Sequence, residues 1–173
     1  MKVKIVFYTF IAALGVMYPK KLGIPAPPPI PKNPVSDMLD LEETQEEIAI
    51  RAERRLREHG FSDELITGAL VNAYAESELN VDAVGKAGER GIFQLHPQGL
   101  GHGMSIDEMR DIRASVDRVA RAIKKNKKIM KLEKAGATAE AHTAAFCVEI
   151  ERPDKKHSKA KSRVRLMKKM LIN

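Results

Sequence analysis

Ala75-Glu76-Ser77-Glu78-Leu79-Asn80, followed by Gly88-Glu89-Arg90-Gly91-Ile92-Phe93-Gln94-Leu95, is the stretch that decides how this chain is read. It sets a carboxylate at the end of an apolar helix and then a glycine-punctuated turn carrying a glutamine. At about 100° per residue, Leu65, Ala69, Ala73 and Glu76 share one quadrant of the preceding helix, with Asn72 beside them. Glu78 falls on the opposite side. Glu76 therefore extends the buried face, and Glu78 is expected to face water. A carboxyl among apolar neighbours has its charged form disfavoured, so it keeps its proton nearer neutral pH and can serve as a general acid. Most glutamates near a helix end are plain solvated charges, so this geometry alone does not assign the role.

Outward from that stretch, the chain is short enough for one domain with an appendage: 173 residues, 43% hydrophobic. With five Phe, three Tyr and no Trp, the core is expected to be mainly aliphatic. The single Cys147 excludes an intramolecular disulfide. It stands among Ala144, Ala145, Phe146 and Val148 with no activating base nearby, so it reads as a buried thiol and not a nucleophile. The net charge of +7 is uneven, acidic over residues 37–59 and strongly basic over 152–173. A basic end suits an anionic polymer or surface, although a solvated helix face is the commoner origin of such a run. No nucleic-acid motif or interleaved aromatics accompany it, so no specific nucleic-acid partner is expected.

Lys2 and Lys4 precede an apolar run, residues 5–17, which is short for a membrane span and suits a signal peptide or an uncleaved anchor. Residues 1–23 thus read as a hydrophobic N-terminal helix, a signal or membrane anchor. Residues 24–36 follow as a proline-rich, polyproline-like linker. Residues 37–173 read as one mainly helical domain. A charged helix is expected from Leu39 or Asp40 to His59, where Gly60 stops it. Ser62 or Asp63 caps the helix that carries Leu65 to Glu76. Residues 80–104 are glycine-rich without a helical period and read as a loop or small β-hairpin. Ser105-Ile106-Asp107-Glu108 is a capping box. Further helices are expected from Ser115, with Lys124–Lys134 as its extension or a solvated tail, then over Thr138–Ile150 and Ser158–Leu171.

The motifs resemble the catalytic core of lytic transglycosylases and goose-type lysozymes: Glu76-Ser77, Asn80, Ala83, then Gly88, Gly91 and Gln94. Gly99-Leu100-Gly101-His102-Gly103-Met104-Ser105 and the late Glu151-Arg152-Pro153 are similar to bacteriophage-encoded lysozyme-like proteins. The likeness covers about residues 60–155. It implies a lysozyme-like α-fold acting on peptidoglycan glycan strands, with Glu76 as general acid and base. Ser77, Asn80, Gly91, Phe93, Gln94 and His96 would bind substrate or support the acid, Ser77 by orienting the Glu76 carboxyl. No cofactor is implied. His96 and His102 lack a third partner at zinc spacing, so no metal is expected. A lyase needs only one acid, whereas a hydrolase needs a second carboxylate, for which Asp82, Glu89 and Asp107 qualify by position only. The chain departs from the family pattern where many members carry a Tyr: Thr143-Ala144-Ala145-Phe146-Cys147 offers Phe146 instead. The expected function is that of a peptidoglycan lytic transglycosylase for phage entry or lysis, membrane-anchored, exported to the periplasm or carried in the virion. The alternatives are a lysozyme-type hydrolase and a non-catalytic virion structural or glycan-binding protein of the same fold.

Overall fold

The computed structural model describes residues 44–153 and 155–172. The apolar run 5–17, the proline-rich segment 24–36 and residues 37–43 lie outside the described residues. Among those described, seven α-helices and one π-helical turn follow in order: α1 Gln45–Glu58, α2 Asp63–Ser77, α3 Ile106–Arg110, α4 Ile112–Lys125, α5 Lys127–Lys134, α6 Ala139–Phe146, the π-helical turn Cys147–Glu151, and α7 Lys156–Ile172. No strand occurs among the described residues. The glycine-rich region is a succession of turns held by two isolated antiparallel bridges, Val84 with Arg90 and Arg90 with Leu95.

Short polar side chains set the helix starts by accepting otherwise orphaned N–H groups. Thr44 and Glu47 form a capping box ahead of α1, so that helix starts at Gln45 and not at Leu39 or Asp40. Ser62 caps α2, and Ser105 with Glu108 boxes α3, both as the sequence leads one to expect. Asp111 caps α4, which starts at Ile112, three residues before the expected start at Ser115. The side chain of Asn126 accepts from Lys128 N and Ile129 N, ending α4 and opening α5. The lysine-rich stretch is therefore a separate helix, buried through Ile129, and not a tail.

α2 is apolar on nearly every side, with Leu65, Ile66, Ala69, Leu70, Val71 and Ala73 all buried, so it can only be a central helix. α6 lies closest to it. A β-carbon on Gly68 would sit 2.8 Å from the backbone N of Thr143 and 2.9 Å from the carbonyl carbon of His142. Asn72 seals the same contact: its Nδ2 donates to Gly68 O at 2.7 Å and to Thr143 O at 3.0 Å. α7 packs on both helices through Ala160, Met167 and Met170. On the other flank α1 is clamped to α4, with Arg55 Nε and Nη2 donating to the two oxygens of Asp117 at 2.6 and 2.8 Å. The Arg55 guanidinium, helped by His59, holds the Asp117 carboxyl down at about 2. The clamp is thus in place above the ordinary Asp value and is lost only as pH falls through about 2.

The expected helix over Thr138–Ile150 is present but changes pitch. It runs as an α-helix to Phe146 and then widens into the π-helical turn, closed by Arg152 N–H donating to Cys147 O at 3.1 Å. Arg152 ends it at φ +53, with Pro153 next. A π-turn carries more residues per turn, so it changes the direction in which the last side chains point. Glu151 meets the C-terminal end of α2 through Arg163, while Glu149 faces Asn126 and Lys128.

The contact at Gly68 gives a direct test of the packing. Gly→Ala in a helix normally adds about 1 kcal/mol of stability. Here the added methyl meets backbone atoms that cannot swing away, and overpacking of this kind costs about 1–3 kcal/mol. Gly68→Ala is expected to lower the urea midpoint of unfolding. An unchanged or raised midpoint would show that α2 and α6 are not in contact there.

Candidate active site

The C-terminal end of α2, the Phe93–Leu100 turns, the α4–α5 junction and the π-helical turn enclose a cleft of about 540 Å³. Asn72, Ala73 and Glu76 form one wall, and Glu149, Ile150, Glu151 and Arg152 another. Val119, Ala122, Lys125 and Asn126 face them from the α4–α5 side. Phe93 and Phe146 line its apolar part, with ring centroids 6.2 Å apart in a tilted arrangement. Phe146 therefore keeps an aromatic wall at the position where the family resemblance leads one to look for a tyrosine.

Glu76 lies in this cleft at the last turn of α2, with 22% of its side chain exposed. The helix wheel places it correctly, and Glu78 on the far side is exposed. The carboxyl itself is not left among apolar groups. Arg163 Nη2, from α7, donates to Glu76 Oε1, and Lys159 Nζ lies 3.9 Å from the same oxygen. The same Arg163 nitrogen lies 3.5 Å from Glu151 Oε2, so one guanidinium bridges the two carboxyls.

These charges pull in opposite directions. Burial disfavours a second negative charge, and so does the Glu76 carboxylate beside it, while Arg163 favours it. The Glu151 side chain is only 10% exposed, and the Arg163 side chain 12%. Burial and the neighbouring carboxylate prevail, and the Glu151 carboxyl is pushed up to about 7. Glu151 thus keeps its proton to near neutral pH beside Glu76. Burial likewise pushes the Cys147 thiol up to about 12, with Glu151 adding to the effect, so this cysteine is a buried thiol at the foot of the pair.

A third carboxylate in the cleft is of the opposite kind. Lys128 Nζ lies 2.7 Å from Glu149 Oε1, and Asn126 Nδ2 donates to Oε2 at 3.4 Å. The ion pair with Lys128 holds Glu149 below the usual carboxylate range. The cleft therefore contains a proton-holding carboxyl and, separately, a carboxylate that stays ionised.

The remaining sequence candidates divide by place. Phe93, Gln94 and His96 line the cleft together with Glu76. Gln94 is held at φ +45, and its Nε2 donates to Ala83 O at 3.2 Å and Gly91 O at 3.0 Å, so the amide braces the turn that forms the cleft wall. His96 Nδ1 accepts from Gln98 N at 3.1 Å, which puts the proton of the neutral ring on Nε2. Ser77, Asn80 and Gly91 are not among the lining residues. The Ser77 hydroxyl is engaged with backbone, 2.8 Å from Ile92 O and 3.1 Å from Ala73 O, so it fastens the loop to α2 in place of orienting the Glu76 carboxyl. Asn80 Oδ1 accepts from Asp82 N at 2.8 Å and closes a local turn. Gly91 sits at φ +71, where a β-carbon would collide with Met109 O.

Asp82, Glu89 and Asp107 do not line the cleft. Asp82 pairs with Arg110, Glu89 Oε2 accepts from Ala87 N at 2.9 Å, and Asp107 is exposed in the first turn of α3. The carboxylates that do line it beside Glu76 are Glu149 and Glu151, and the arginine that reaches Glu76 is Arg163. The Glu151-Arg152-Pro153 tripeptide was the visible signal for one of them. Nothing local marks Arg163, which stands 87 residues from Glu76 and only a fold joins them.

A mainly helical domain around a carboxylate-lined cleft, with its acid at the end of a buried helix, defines a lysozyme-like protein. The family model described as phage tail lysozyme matches residues 47–170, and the chain belongs to that family. No curated protein matches the chain.

Ser77→Ala separates two roles for this hydroxyl. If it fastens the loop, the variant loses about 1–2 kcal/mol. It also exchanges the amide hydrogens of residues 92–94 faster, while the pH dependence of activity keeps its shape. A shifted pH profile with unchanged stability would instead assign the hydroxyl to the carboxyl.

Proposed function

We propose that this protein is a peptidoglycan-cleaving enzyme acting on the β-1,4 bond between N-acetylmuramic acid and N-acetylglucosamine, as a lytic transglycosylase. The observation that carries the reading is Glu76 set in the cleft at the end of a buried helix, held by Arg163 next to the buried Glu151. Family membership supports the substrate class. A glycan-binding protein without activity has no need of two carboxyls and a guanidinium gathered in a buried site, and burying such charged groups is costly.

In the proposed reaction Glu76 donates its proton to the O4 leaving group while the C1–O4 bond breaks through an oxocarbenium-like state. The C6 hydroxyl of the muramic acid then attacks C1, the C1–O6 bond forms, and Glu76 takes the hydroxyl proton back. The balance needs no water and one carboxyl, which returns to its starting state. Phe93 and Phe146 supply an apolar wall for a sugar face. Gln94 and His96, which line the cleft, would hold the glycan. Ser77, Asn80 and Gly91 support the turns that carry them.

Glu149 favours a second reading. It is an ionised carboxylate in the same cleft, held by Lys128 and Asn126, and it could activate a water for hydrolysis. Glu151 cannot fill that role. It sits on the same Arg163 nitrogen as Glu76, whereas the two carboxyls of a hydrolase stand on opposite sides of the bond, about 5–9.5 Å apart. The single acid with a partner beside it supports the lyase.

We assign the catalytic unit to residues 37–173 and place the protein in the virion, where it would open the wall for phage entry or lysis. Among the described residues no helix is long and apolar enough to cross a membrane. Anchoring through residues 5–17 belongs to the part of the chain outside them.

Glu76→Gln keeps the shape and removes the proton donor. It is expected to lower solubilisation of purified cell wall by about a hundredfold or more with little change in melting temperature. Glu78→Gln, on the exposed side, is the control and should act like the native enzyme. An active Glu76→Gln enzyme would end the assignment. The products decide between the two readings. Mass spectrometry of digested peptidoglycan should show 1,6-anhydro-N-acetylmuramic acid ends, and Glu149→Gln should leave them unchanged. Reducing ends alone, lost in Glu149→Gln, would establish the hydrolase.

A further inference from the structure

Three side chains from three separate elements meet at the base of the cleft: Glu76 from α2, Glu151 from the π-helical turn and Arg163 from α7. Each is mostly buried, with 22%, 10% and 12% of its side chain exposed. The other titratable groups facing them are Cys147 of the same π-turn and Lys159 of α7. Two features make this more than a structural ion pair. Glu151 Oε1 and Arg163 Nε are buried without a hydrogen-bond partner, so the cluster is not arranged for maximal satisfaction. The cluster also depends on a break in helix geometry, since only the widened π-turn brings Glu151 round to Glu76.

We propose that Glu151 and Arg163 are positioning residues for the acid step: Arg163 Nη2 holds the Glu76 and Glu151 carboxyls beside each other, and Glu151 hands its proton to Glu76. This rests on the proposed role of Glu76. In the resting enzyme the proton resides on Glu151 and the Glu76 carboxyl faces Arg163. When a glycan enters, the proton passes from Glu151 to Glu76 and from Glu76 to the departing O4. The proton later taken from the C6 hydroxyl returns to the pair, so neither carboxyl changes its state over a full turnover. The two partners act in opposite senses. Without Glu151, Arg163 faces Glu76 alone and favours its ionised form. Without Arg163, burial and like charge act unopposed and the pair holds its proton more tightly.

The opposite senses make the test specific. The pH profile of cell-wall cleavage is measured for the native chain, Glu151→Gln and Arg163→Gln. The alkaline limb, where the acid is lost, should move down by about one pH unit or more in Glu151→Gln and up in Arg163→Gln. Glu151→Gln should therefore lose about tenfold in activity at pH 7 and recover toward the native level at pH 5. An equal loss at every pH in both variants would reduce the cluster to a structural brace and overturn the proposal. A second readout needs neither activity nor a variant. Carboxyl ¹³C titration of the native protein without substrate should show one glutamate step near neutral pH. Both glutamates titrating at ordinary acidic values would overturn the proposal. If Glu76→Gln remains active, the assignment of Glu76 as the acid fails, yet the ¹³C titration still decides whether a carboxyl of the cluster holds a proton near neutral pH.

Discussion

The close approach of α2 to α6 at Gly68 is the constraint on which the rest of the structure depends. Two helix backbones meet there with no room for a β-carbon, and Asn72 ties them with two hydrogen bonds to carbonyl groups. That contact fixes where both helices end. α2 ends at Ser77, one residue past Glu76, and α6 runs into the π-helical turn that ends at Glu151. With the helices in contact at their middles, their last turns stand side by side, and two carboxylates from distant parts of the chain become neighbours. α7 then closes over the pair and supplies Arg163.

The electrostatics of the cleft follow from that geometry. Two carboxyls share a site with one bridging guanidinium, so net charge alone would leave the group anionic. Burial changes the outcome, because a second negative charge in a poorly solvated site costs more than one cation at 3.5 Å returns. Glu149, on the same π-turn but beside the exposed Lys128, keeps its charge. The same residue type thus takes two states a few residues apart. Degree of burial and the sign of the nearest neighbour separate them, which is how one cleft can offer both a proton and a fixed negative charge.

Much of this was legible in the sequence where local physics governs. The apolar run from Leu65 to Ala73 required a buried helix, and the wheel put Glu76 on its inner side. Ser62 and the Ser105–Glu108 box announced their helices. Other boundaries were hidden because several residues could cap. Thr44 with Glu47, Asp111 and Asn126 each decided a helix start that apolar periodicity placed elsewhere. The site itself was half visible. Glu76, Phe93, Gln94 and His96 lie close in sequence and share a motif. Glu151 stood in the visible Glu151-Arg152-Pro153 tripeptide, but its place beside Glu76 was hidden because a helix of 100° per residue has no place for a π-turn. Arg163 was hidden inside a basic run whose other members are mostly solvated, and only tertiary contact distinguishes it.

The central claim is that Glu76 stands at the bond that breaks. A crystal structure of the Glu76→Gln variant with a peptidoglycan oligosaccharide tests it most directly. The account predicts a glycan lying along the cleft over Phe93 and Phe146, with a bridging glycosidic oxygen within about 3 Å of the side-chain amide at position 76. A glycan bound with its bridging oxygens nearer Glu149, or bound outside the cleft, would contradict it.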